Sequence, residues 1–221
     1  MRKLTTDVAI IGAGAAGIPA AIEAAQRGVK VDVFESSDHT GGSCNGGNGV
    51  FAVESKMQKQ KQYTYTKEQI LRYWMEYTHN NVDLRLVSEF INRSADTVDW
   101  LQGYGVDLCD LIAYYPGAYY VWHFRRDGSP FITDLLKPVS EQAGAVYHLN
   151  TRVNRLTMQD GKCVGFEAED AEGVYQVEAK AVIIASGGTG KRADFVYKET
   201  GWMLGKDITT FPHMLYEEPG K

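Results

Sequence analysis

The 221-residue sequence is poor in cysteine, contains no long apolar run and carries no excess of positive charge, and each scarcity excludes a class of protein. Cys44, Cys109 and Cys163 are odd in number and form no Cys-x-x-Cys pair, so the sequence predicts neither a disulfide framework nor a metal site. The net charge of -5 argues against nucleic acid as a partner, because phosphates favour a strongly basic face. No apolar run approaches the roughly 20 residues that cross a bilayer, so direct membrane insertion is not expected.

The same scarcities bear on location and surface. The three cysteines fit a reducing cytoplasm, which is the predicted location. The start Met1–Lys3 imitates a secretory signal, but Asp7 and Glu23 interrupt the apolar region that a signal needs. The densest basic stretch, Lys56–Lys61, alternates with glutamine and has no interleaved aromatic side chain, so we interpret it as a solvated surface.

The first 35 residues are typical of a β-α-β unit. Val8–Ile11 is a short, fully apolar run, as in a central parallel strand that is covered on both faces. Small and apolar residues from Ala15 to Arg27 predict a helix that ends at Gly28. Val31, Val33 and Phe34 predict the next strand, with Glu35 at its tip.

A glycine-rich turn joins the first strand to the helix. Gly12-Ala13-Gly14-Ala15-Ala16-Gly17 matches the pattern G-x-G-x-x-G, whose three glycines permit a tight turn, close approach to a pyrophosphate, and close helix packing. Unpaired N–H groups and the helix dipole favour an anion there. Glu35, which Ser36 follows, can accept hydrogen bonds from a ribose 2'-hydroxyl and would repel a 2'-phosphate. The turn therefore predicts FAD or NAD rather than NADP, and the alternative is a tight turn without ligand.

The remaining sequence predicts helices in the middle and strands at the end. A glycine-rich loop covers 36–49, helices are predicted over 66–79, 83–103 and 130–144, and strands over 146–149, 153–158, 162–168, 174–179 and 181–185. The helical stripe of Val87, Phe90, Ile91, Ala95, Val98 and Leu101 is interpreted as core. The aromatic-rich segment Tyr114–Trp122 remains open between a ligand wall and buried packing. No clear periodicity follows Lys191.

This order of elements favours FAD over NAD, because a simple NAD dehydrogenase would continue with further β-α units. Here a glycine loop, helices and a three-stranded meander return to one apolar strand that ends in Ala185-Ser186-Gly187-Gly188. A second pattern, Gly188–Ala193, fits G-x-G-x-x-A but lacks the β-α-β context, and it fails as a phosphate-binding P-loop because Arg192 stands where serine or threonine belongs.

At this point the sequence resembles the flavoprotein subunit family of fumarate reductase and succinate dehydrogenase. This FAD-dependent oxidoreductase family also includes urocanate reductase, aspartate oxidase and ketosteroid dehydrogenases. The matching segments are the N-terminal fingerprint, Glu35, Gly41–Ser43, 49–55, 150–153 and 181–190. The resemblance implies an α/β fold: a Rossmann-like FAD-binding domain whose parallel sheet carries a three-stranded β-meander and a helical insertion.

The resemblance also implies which residues contact the cofactor. Gly41, Gly42 and Ser43 would line the flavin side, with Gly49 and Val50 near the isoalloxazine ring. Val153 would meet the adenine through its backbone, and Ala185–Gly188 would pass near the pyrophosphate. The full predicted set is Gly12, Ala13, Gly14, Ala15, Ala16, Gly17, Glu35, Ser36, Gly41, Gly42, Ser43, Gly49, Val50, Val153, Ala185, Ser186, Gly187 and Gly188.

Histidines raise two further points. Some members of the family attach the flavin covalently through a histidine, but the matching position here is Ser43, so we expect non-covalent FAD and interpret His39 as an exposed loop residue. His123, near Arg125 and Arg126, has two open interpretations: binding an acidic substrate or shuttling protons, or belonging to a surface loop of mixed charge.

The family's chemistry is hydride transfer between flavin N5 and a carbon next to a carboxylate or carbonyl. Its catalytic groups lie in a capping domain and a closing flavin-binding segment, both expected after Lys221, so no catalytic residue is assigned and this chain alone is expected to be inactive. The predicted regions are a dinucleotide-binding unit with the flavin loop (1–55), a mainly helical insertion (56–145), the meander and returning strand (146–190), and the start of a link to the cap (191–221).

Two functions are carried forward. The first is a fumarate reductase-type oxidoreductase whose partner is a small-molecule carboxylate or a redox protein. The second is a flavin-binding module or electron carrier without substrate chemistry of its own. A thioredoxin-reductase-like enzyme is disfavoured because the sequence has neither a Cys-x-x-Cys pair nor an NADPH unit.

Overall fold

A computed structural model describes residues 2–114, 116–125, 130–188 and 192–206, which form two compact units. The first unit lies within Met1–Gly47 and Pro130–Lys221, and the second within Asn48–Ser129. In chain order the strands and α-helices are β1 (Lys3–Ile11), α1 (Gly17–Ala25), β2 (Val31–Phe34), β3 (Gly49–Phe51), α2 (Lys56–Gln60), α3 (Lys67–Tyr77), α4 (Leu84–Gly103), β4 (Asp110–Ile112), β5 (Trp122–Phe124), α5 (Lys137–Gln142), β6 (Val146–His148), β7 (Arg152–Gln159), β8 (Lys162–Asp170), β9 (Gly173–Ile184) and α6 (Ala193–Thr200).

The first unit is built on a six-stranded sheet in the order β6-β2-β1-β9-β8-β7. The strands β6, β2, β1 and β9 run parallel, whereas β9, β8 and β7 form an antiparallel meander. Ile11 pairs with Phe34 on one side and with Ile184 on the other, so three parallel strands end at the same edge. The predicted α/β class with a mostly parallel sheet is therefore confirmed.

Apolar side chains cover both faces of β1 because successive residues of a strand point to opposite faces. Ile10 packs in a cluster with Val33 of β2 and with Ala21 and Ala25 of α1. Ala9 packs on the other face, in a cluster with aromatic side chains: Phe34, Phe166 and Tyr175. The small residues of α1 let the helix lie close to the sheet, and Pro19 is only the third residue of α1, where its missing N–H costs no intrahelical bond.

The second unit contains a three-stranded sheet in the order β3-β5-β4 together with α2, α3 and α4. Thr66 caps α3 through a capping box with Gln69, and the Asp83 carboxylate accepts from the backbone of the first turn of α4. Both helices were predicted, and both begin one residue after the predicted cap. Four residues of the α4 stripe are buried, but Phe90 is 48% exposed, so the interpretation of that position as core is wrong.

The basic stretch predicted to be a solvated surface forms α2, and one of its side chains is buried. Gln58 is 0% exposed, and its Nε2 donates to the carbonyls of Ala52 (3.0 Å) and Tyr120 (2.7 Å). Its Oε1 accepts from the N–H of Ser55, whose hydroxyl caps the helix in return. The surface interpretation therefore fails at Gln58, although Lys56, Lys59 and the other exposed side chains fit it.

Three further differences from the predicted elements appear in the first unit. The strands predicted over 174–179 and 181–185 are one continuous strand, β9. The predicted helix over 130–144 consists of a π-helical segment (Ile132–Leu136) followed by α5, and α6 was not predicted. Thr189–Lys191 and 207–221 lie outside the described residues, as do Tyr115 and Arg126. Within the described ranges, no helix combines the length and apolarity needed to cross a membrane.

Candidate dinucleotide-binding site

The glycine turn after β1 lies at the edge where the parallel strands end. The Gly12 N–H donates to the carbonyl of Phe34 (2.7 Å), and Gly12 has a φ of +102°, which L side chains rarely adopt. A Cβ at Gly12 would lie 2.4 Å from the Ala185 oxygen, and one at Gly17 would lie 1.8 Å from the Gly12 oxygen. The protein's own packing therefore requires glycine at both positions.

Gly14 differs from these two glycines. Its φ is not positive, and the nearest atom to a Cβ placed there is the Gly41 oxygen at 3.9 Å, an ordinary van der Waals distance. The next residues, Ala15 and Ala16, are exposed. The first N–H groups of a helix have no intrahelical partner, so this open turn presents donors and the positive end of the α1 dipole. The internal packing of the turn therefore does not require glycine at position 14.

The loop after β2 lies against this turn. The Gly41 N–H donates to the Ala13 carbonyl (2.7 Å), and Gly41 pairs with Gly14 in an isolated parallel bridge. Gly41 has a φ of +99°, and Asn45 holds the loop by donating to the Thr40 carbonyl (2.7 Å). The loop therefore places the predicted residues Gly41 and Gly42 beside the fingerprint, with Ser43 exposed.

Glu35 links the two loops through its carboxylate. Oε2 accepts from the N–H of Ala13 (2.8 Å), and Oε1 accepts from the N–H of Ser37 (2.9 Å) and the hydroxyl of Ser36 (3.2 Å). A carboxylate has about four lone-pair sites, so Oε2 retains one for a ribose hydroxyl. Glu35 thus also has a structural role that the sequence did not predict, because a contact between residues 22 apart leaves no local pattern.

Glu35→Ala is expected to destabilise the first unit. The substitution leaves the N–H of Ala13, a residue that is 0% exposed, without its acceptor, which costs about 1–3 kcal/mol. Glu35→Gln keeps one carbonyl oxygen that can accept this hydrogen bond, so it should lower the free energy of unfolding by less. Urea unfolding followed by circular dichroism measures both variants. Equal losses of unfolding free energy in the two variants would show that the hydrogen bond from the Ala13 N–H to Glu35 does not stabilise the first unit.

The other predicted residues divide between the two units. The Ala185 N–H donates to the Ile11 carbonyl (2.8 Å), which places Ala185 at the same edge, and Ser186–Gly188 are exposed there. Val153 is half-buried against the aromatic cluster that contains Phe34. Gly49 and Val50 belong to the second unit, where they lie in β3 opposite β5.

His123 lies in β5 and is 0% exposed, which excludes the interpretation as part of a surface loop. Its Nε2 lies 2.6 Å from Ser55 Oγ and its Nδ1 lies 3.3 Å from the Val121 carbonyl. Because a carbonyl only accepts, Nδ1 donates and Nε2 accepts from the serine hydroxyl. Burial lowers the pKa of His123, so the imidazole is neutral near pH 7. It pairs in register with Val50 and supports β3 from within the second unit.

We expect the second unit to lose stability as pH falls below about 6.5, the ordinary pKa of histidine. Because the pKa of His123 is lowered in the folded state, the unfolded chain takes up its proton first, and stability falls as pH drops toward the folded pKa. The slope should approach about 1.4 kcal/mol per pH unit. Thermal unfolding from pH 8 to 5, compared with His123→Gln, measures it. An unchanged pH slope in the variant would contradict this assignment.

A buried carboxylate in the first unit pairs with a histidine. The Asp32 side chain is almost wholly buried, and its Oδ1 lies 2.7 Å from Nε2 of His148, whose ring stacks on Phe34. Burial by itself would raise the pKa of Asp32, but hydrogen bonds from His148 and Thr6 outweigh it and hold that pKa below its ordinary value. The pair connects β6 to β2, close to the end of β2 that Glu35 follows.

Comparisons with known proteins agree with this geometry. The family described as FAD binding domain matches residues 7–215. A vinyl phenol reductase of Lactiplantibacillus plantarum is 32% identical over 200 residues, covering 88% of this chain and 40% of the relative. A probable fumarate reductase of Shewanella frigidimarina is 30% identical, over 93% of this chain and 36% of the relative. The chain thus spans about two fifths of the length of these relatives.

Solved structures show the same fold. The open conformation of a flavocytochrome c3 fumarate reductase superposes with a TM-score of 0.80 and 28% identity, over 90% of this chain and 36% of the other. A 3-ketosteroid dehydrogenase of Rhodococcus jostii superposes with a TM-score of 0.79 at 22% identity, which bears on the fold alone. The predicted family resemblance is confirmed: the chain belongs to the FAD-binding domain family whose relatives include fumarate reductases and other flavoprotein oxidoreductases.

Proposed function

We propose that this chain binds FAD non-covalently and is the cofactor-binding part of a fumarate reductase-type oxidoreductase. In such an enzyme, the flavin would supply hydride transfer at N5 to or from an unsaturated carboxylate or a related substrate. The chain's own residues would bind and orient the cofactor, in a Rossmann-like arrangement of β1, α1 and β2. The partner would be the small-molecule carboxylate or a redox protein, and the location the cytoplasm.

The observation that carries the proposal is Gly14. Gly12 and Gly17 are explained by close internal contacts, whereas Gly14 has neither a positive φ nor a close neighbour. A diphosphate at the N-terminus of α1 accounts for the glycine, the exposed turn and the nearby Glu35 together. Glu35 then receives a ribose hydroxyl at Oε2 while it continues to hold the N–H of Ala13.

Non-covalent attachment is proposed from the loop side chains. Ser43 stands at the position where some family members carry a flavin-linked histidine, and it is exposed. His39 is exposed as well, with Nδ1 2.7 Å from Asp38. Precipitating the yellow protein with acid tests the attachment: non-covalent FAD passes into the supernatant. Colour that remains in the pellet would contradict this part of the proposal.

The main experiment is to purify the chain, record its visible spectrum and titrate it with FAD. We expect flavin absorbance bands and quenching of flavin fluorescence upon binding, and NADP should not compete. Protein that remains colourless and does not bind added FAD would overturn the proposal.

A second candidate is a flavin-binding module or electron carrier without its own substrate chemistry. The coverage of only 36–40% of the first relatives favours it for the chain as given. Adding fumarate or urocanate to the FAD-loaded chain in the presence of reduced viologen tests whether the chain has substrate chemistry of its own. Oxidation of the viologen would exclude the module, whereas FAD binding without oxidation is expected of the chain alone under both functions.

A further inference from the structure

Thr133 connects the π-helical segment Ile132–Leu136 to the glycine-rich loop beside the fingerprint. Its hydroxyl lies 3.1 Å from the carbonyl oxygen of Thr40 and 3.2 Å from Oδ1 of Asn45, two acceptors for its hydrogen. The hydroxyl oxygens of Thr133 and Thr40 are 3.3 Å apart, so the Thr40 hydroxyl can donate in return. The three side chains therefore form one hydrogen-bonded group that joins distant parts of the first unit.

The helix that carries Thr133 holds it in a fixed place. Pro138 favours the wide turn, because it has no N–H to donate to the carbonyl four residues before it and its ring crowds that carbonyl. The Lys137 N–H donates to the carbonyl of Ile132, five residues before it. Ile132 and Leu136 are 3% and 0% exposed, so the segment is anchored in the core. Such π-helical turns frequently occur at functional sites.

The loop that Thr133 contacts is rich in glycine. Residues 40–47 include four glycines: Gly41, Gly42, Gly46 and Gly47. Glycine loses more conformational freedom upon ordering than any other residue. A ligand that binds a disordered loop must offset the cost of ordering it, whereas a loop that is already ordered adds no such cost. Groups that hold this loop in place therefore bear on the affinity for its ligand.

Thr40 is the point at which the loop is held. It is 3% exposed, and its carbonyl accepts from Nδ2 of Asn45 (2.7 Å) as well as from the Thr133 hydroxyl, so both of its lone pairs are used. The next residue, Gly41, donates its N–H to the Ala13 carbonyl of the fingerprint (2.7 Å). Thr133 thus restrains the residue that directly precedes the predicted flavin contacts.

We propose that Thr133 is a positioning residue for FAD: its hydroxyl keeps the loop 40–47 in the conformation that receives the flavin. It acts through the loop and not by contact with the cofactor. This inference rests on the proposed binding of FAD. Without the hydroxyl, the Thr40 carbonyl keeps one donor fewer and the glycines are less restrained, so part of the binding energy is used to order the loop.

Thr133→Val tests the proposal, because valine has nearly the same shape as threonine but no hydroxyl. We expect the FAD affinity, measured by flavin fluorescence titration, to fall about tenfold. Thr133→Ser keeps the hydroxyl and should retain most of the affinity. Thr97→Val is the matched control: Thr97 is exposed on α4 and its hydroxyl donates to the Arg93 carbonyl (3.0 Å), so the FAD affinity should not change.

Two further measurements separate positioning from a general loss of structure. ADP, which lacks the flavin, should bind Thr133→Val with unchanged affinity, since Glu35 and the fingerprint are intact. Without any ligand, amide exchange at Gly41 and Cys44, which donate to the carbonyls of Ala13 and Gly41, should accelerate about tenfold in Thr133→Val. Thr133→Ser should leave this exchange nearly unchanged.

Unchanged FAD affinity in a folded Thr133→Val chain would overturn the proposal, and so would equal losses of ADP and FAD affinity. Equal losses of FAD affinity in the valine and serine variants would also contradict it. If Thr133→Val does not fold, Thr133→Ala removes the same hydroxyl and carries the same expectations. A chain that retains Thr133 and binds no FAD would count against the proposed function, whereas the exchange experiment, which needs no ligand, still tests whether Thr133 holds the loop.

Discussion

Gly17→Ala is expected to destabilise the first unit by about 3 kcal/mol or more, because the added methyl group would lie 1.8 Å from the Gly12 oxygen. The clash is with backbone, so no side-chain rotation relieves it. Either α1 moves away from the sheet or the turn between Gly12 and Gly17 changes conformation. Urea unfolding of the variant and of the unsubstituted chain measures the loss, and FAD affinity should fall with it because the turn is distorted.

Gly28→Ala serves as a control for the conformational part of this effect. Gly28 has a φ of +79° but no atom within 4 Å of an added Cβ, so only the backbone cost of about 1–2 kcal/mol applies. A Gly17→Ala loss no greater than that of Gly28→Ala would contradict the predicted backbone clash.

Gly14→Ala is expected to have the opposite profile: near-normal stability and an FAD affinity reduced by about 100-fold. The methyl group has room, since its nearest neighbour would be the Gly41 oxygen at 3.9 Å. It would, however, occupy the space through which a pyrophosphate approaches the backbone. The loss of one or two hydrogen bonds to a charged group corresponds to that change in affinity.

Fluorescence titration with FAD and urea unfolding, performed on the same preparation, separate the two properties of Gly14→Ala. Gly17→Ala is its counterpart in the same turn, since there the fold itself should weaken. Normal FAD affinity in a well-folded Gly14→Ala protein would refute the proposed position of the pyrophosphate, even if the chain binds FAD elsewhere.

The sequence predicted the elements whose signals are local. The β1-α1-β2 unit follows from apolar runs and a glycine pattern within 35 residues. The helices α3 and α4 follow from Thr66 and Asp83, whose side chains cap them as expected. The sequence predicted two strands in place of β9 because Lys180 is a charge within an apolar stretch. In the structure Lys180 is exposed, pairs with Asp7 and does not interrupt the strand.

Features that depend on distant contacts were not predictable. The burial of Gln58 depends on the carbonyl of Tyr120, which is 62 residues away in the chain. The burial of His123 depends on Ser55, at a separation of 68 residues. Both lie among charged neighbours in the sequence, which is why Gln58 was interpreted as part of a solvated surface and a surface loop remained one of the two interpretations of His123.

The candidate site was only partly predictable for a related reason. The pattern located Gly12, Gly14 and Gly17, but it could not separate the two that serve packing from the one that leaves space for a ligand. That separation depends on the Ala185 oxygen, the Gly12 oxygen and the absence of a close atom at Gly14 among the described residues. The second role of Glu35, which holds the Ala13 N–H, also appears only in three dimensions.

The pairing of β1 with β9 has a consequence for synthesis of the chain. Lys3 lies opposite Gln176, so β1 leaves the ribosome long before β9, its partner strand. At about 5–20 residues per second, this delay is on the order of 10–35 s. During that interval the apolar residues of β1 lack one neighbour in the sheet, so the nascent chain should depend on chaperones.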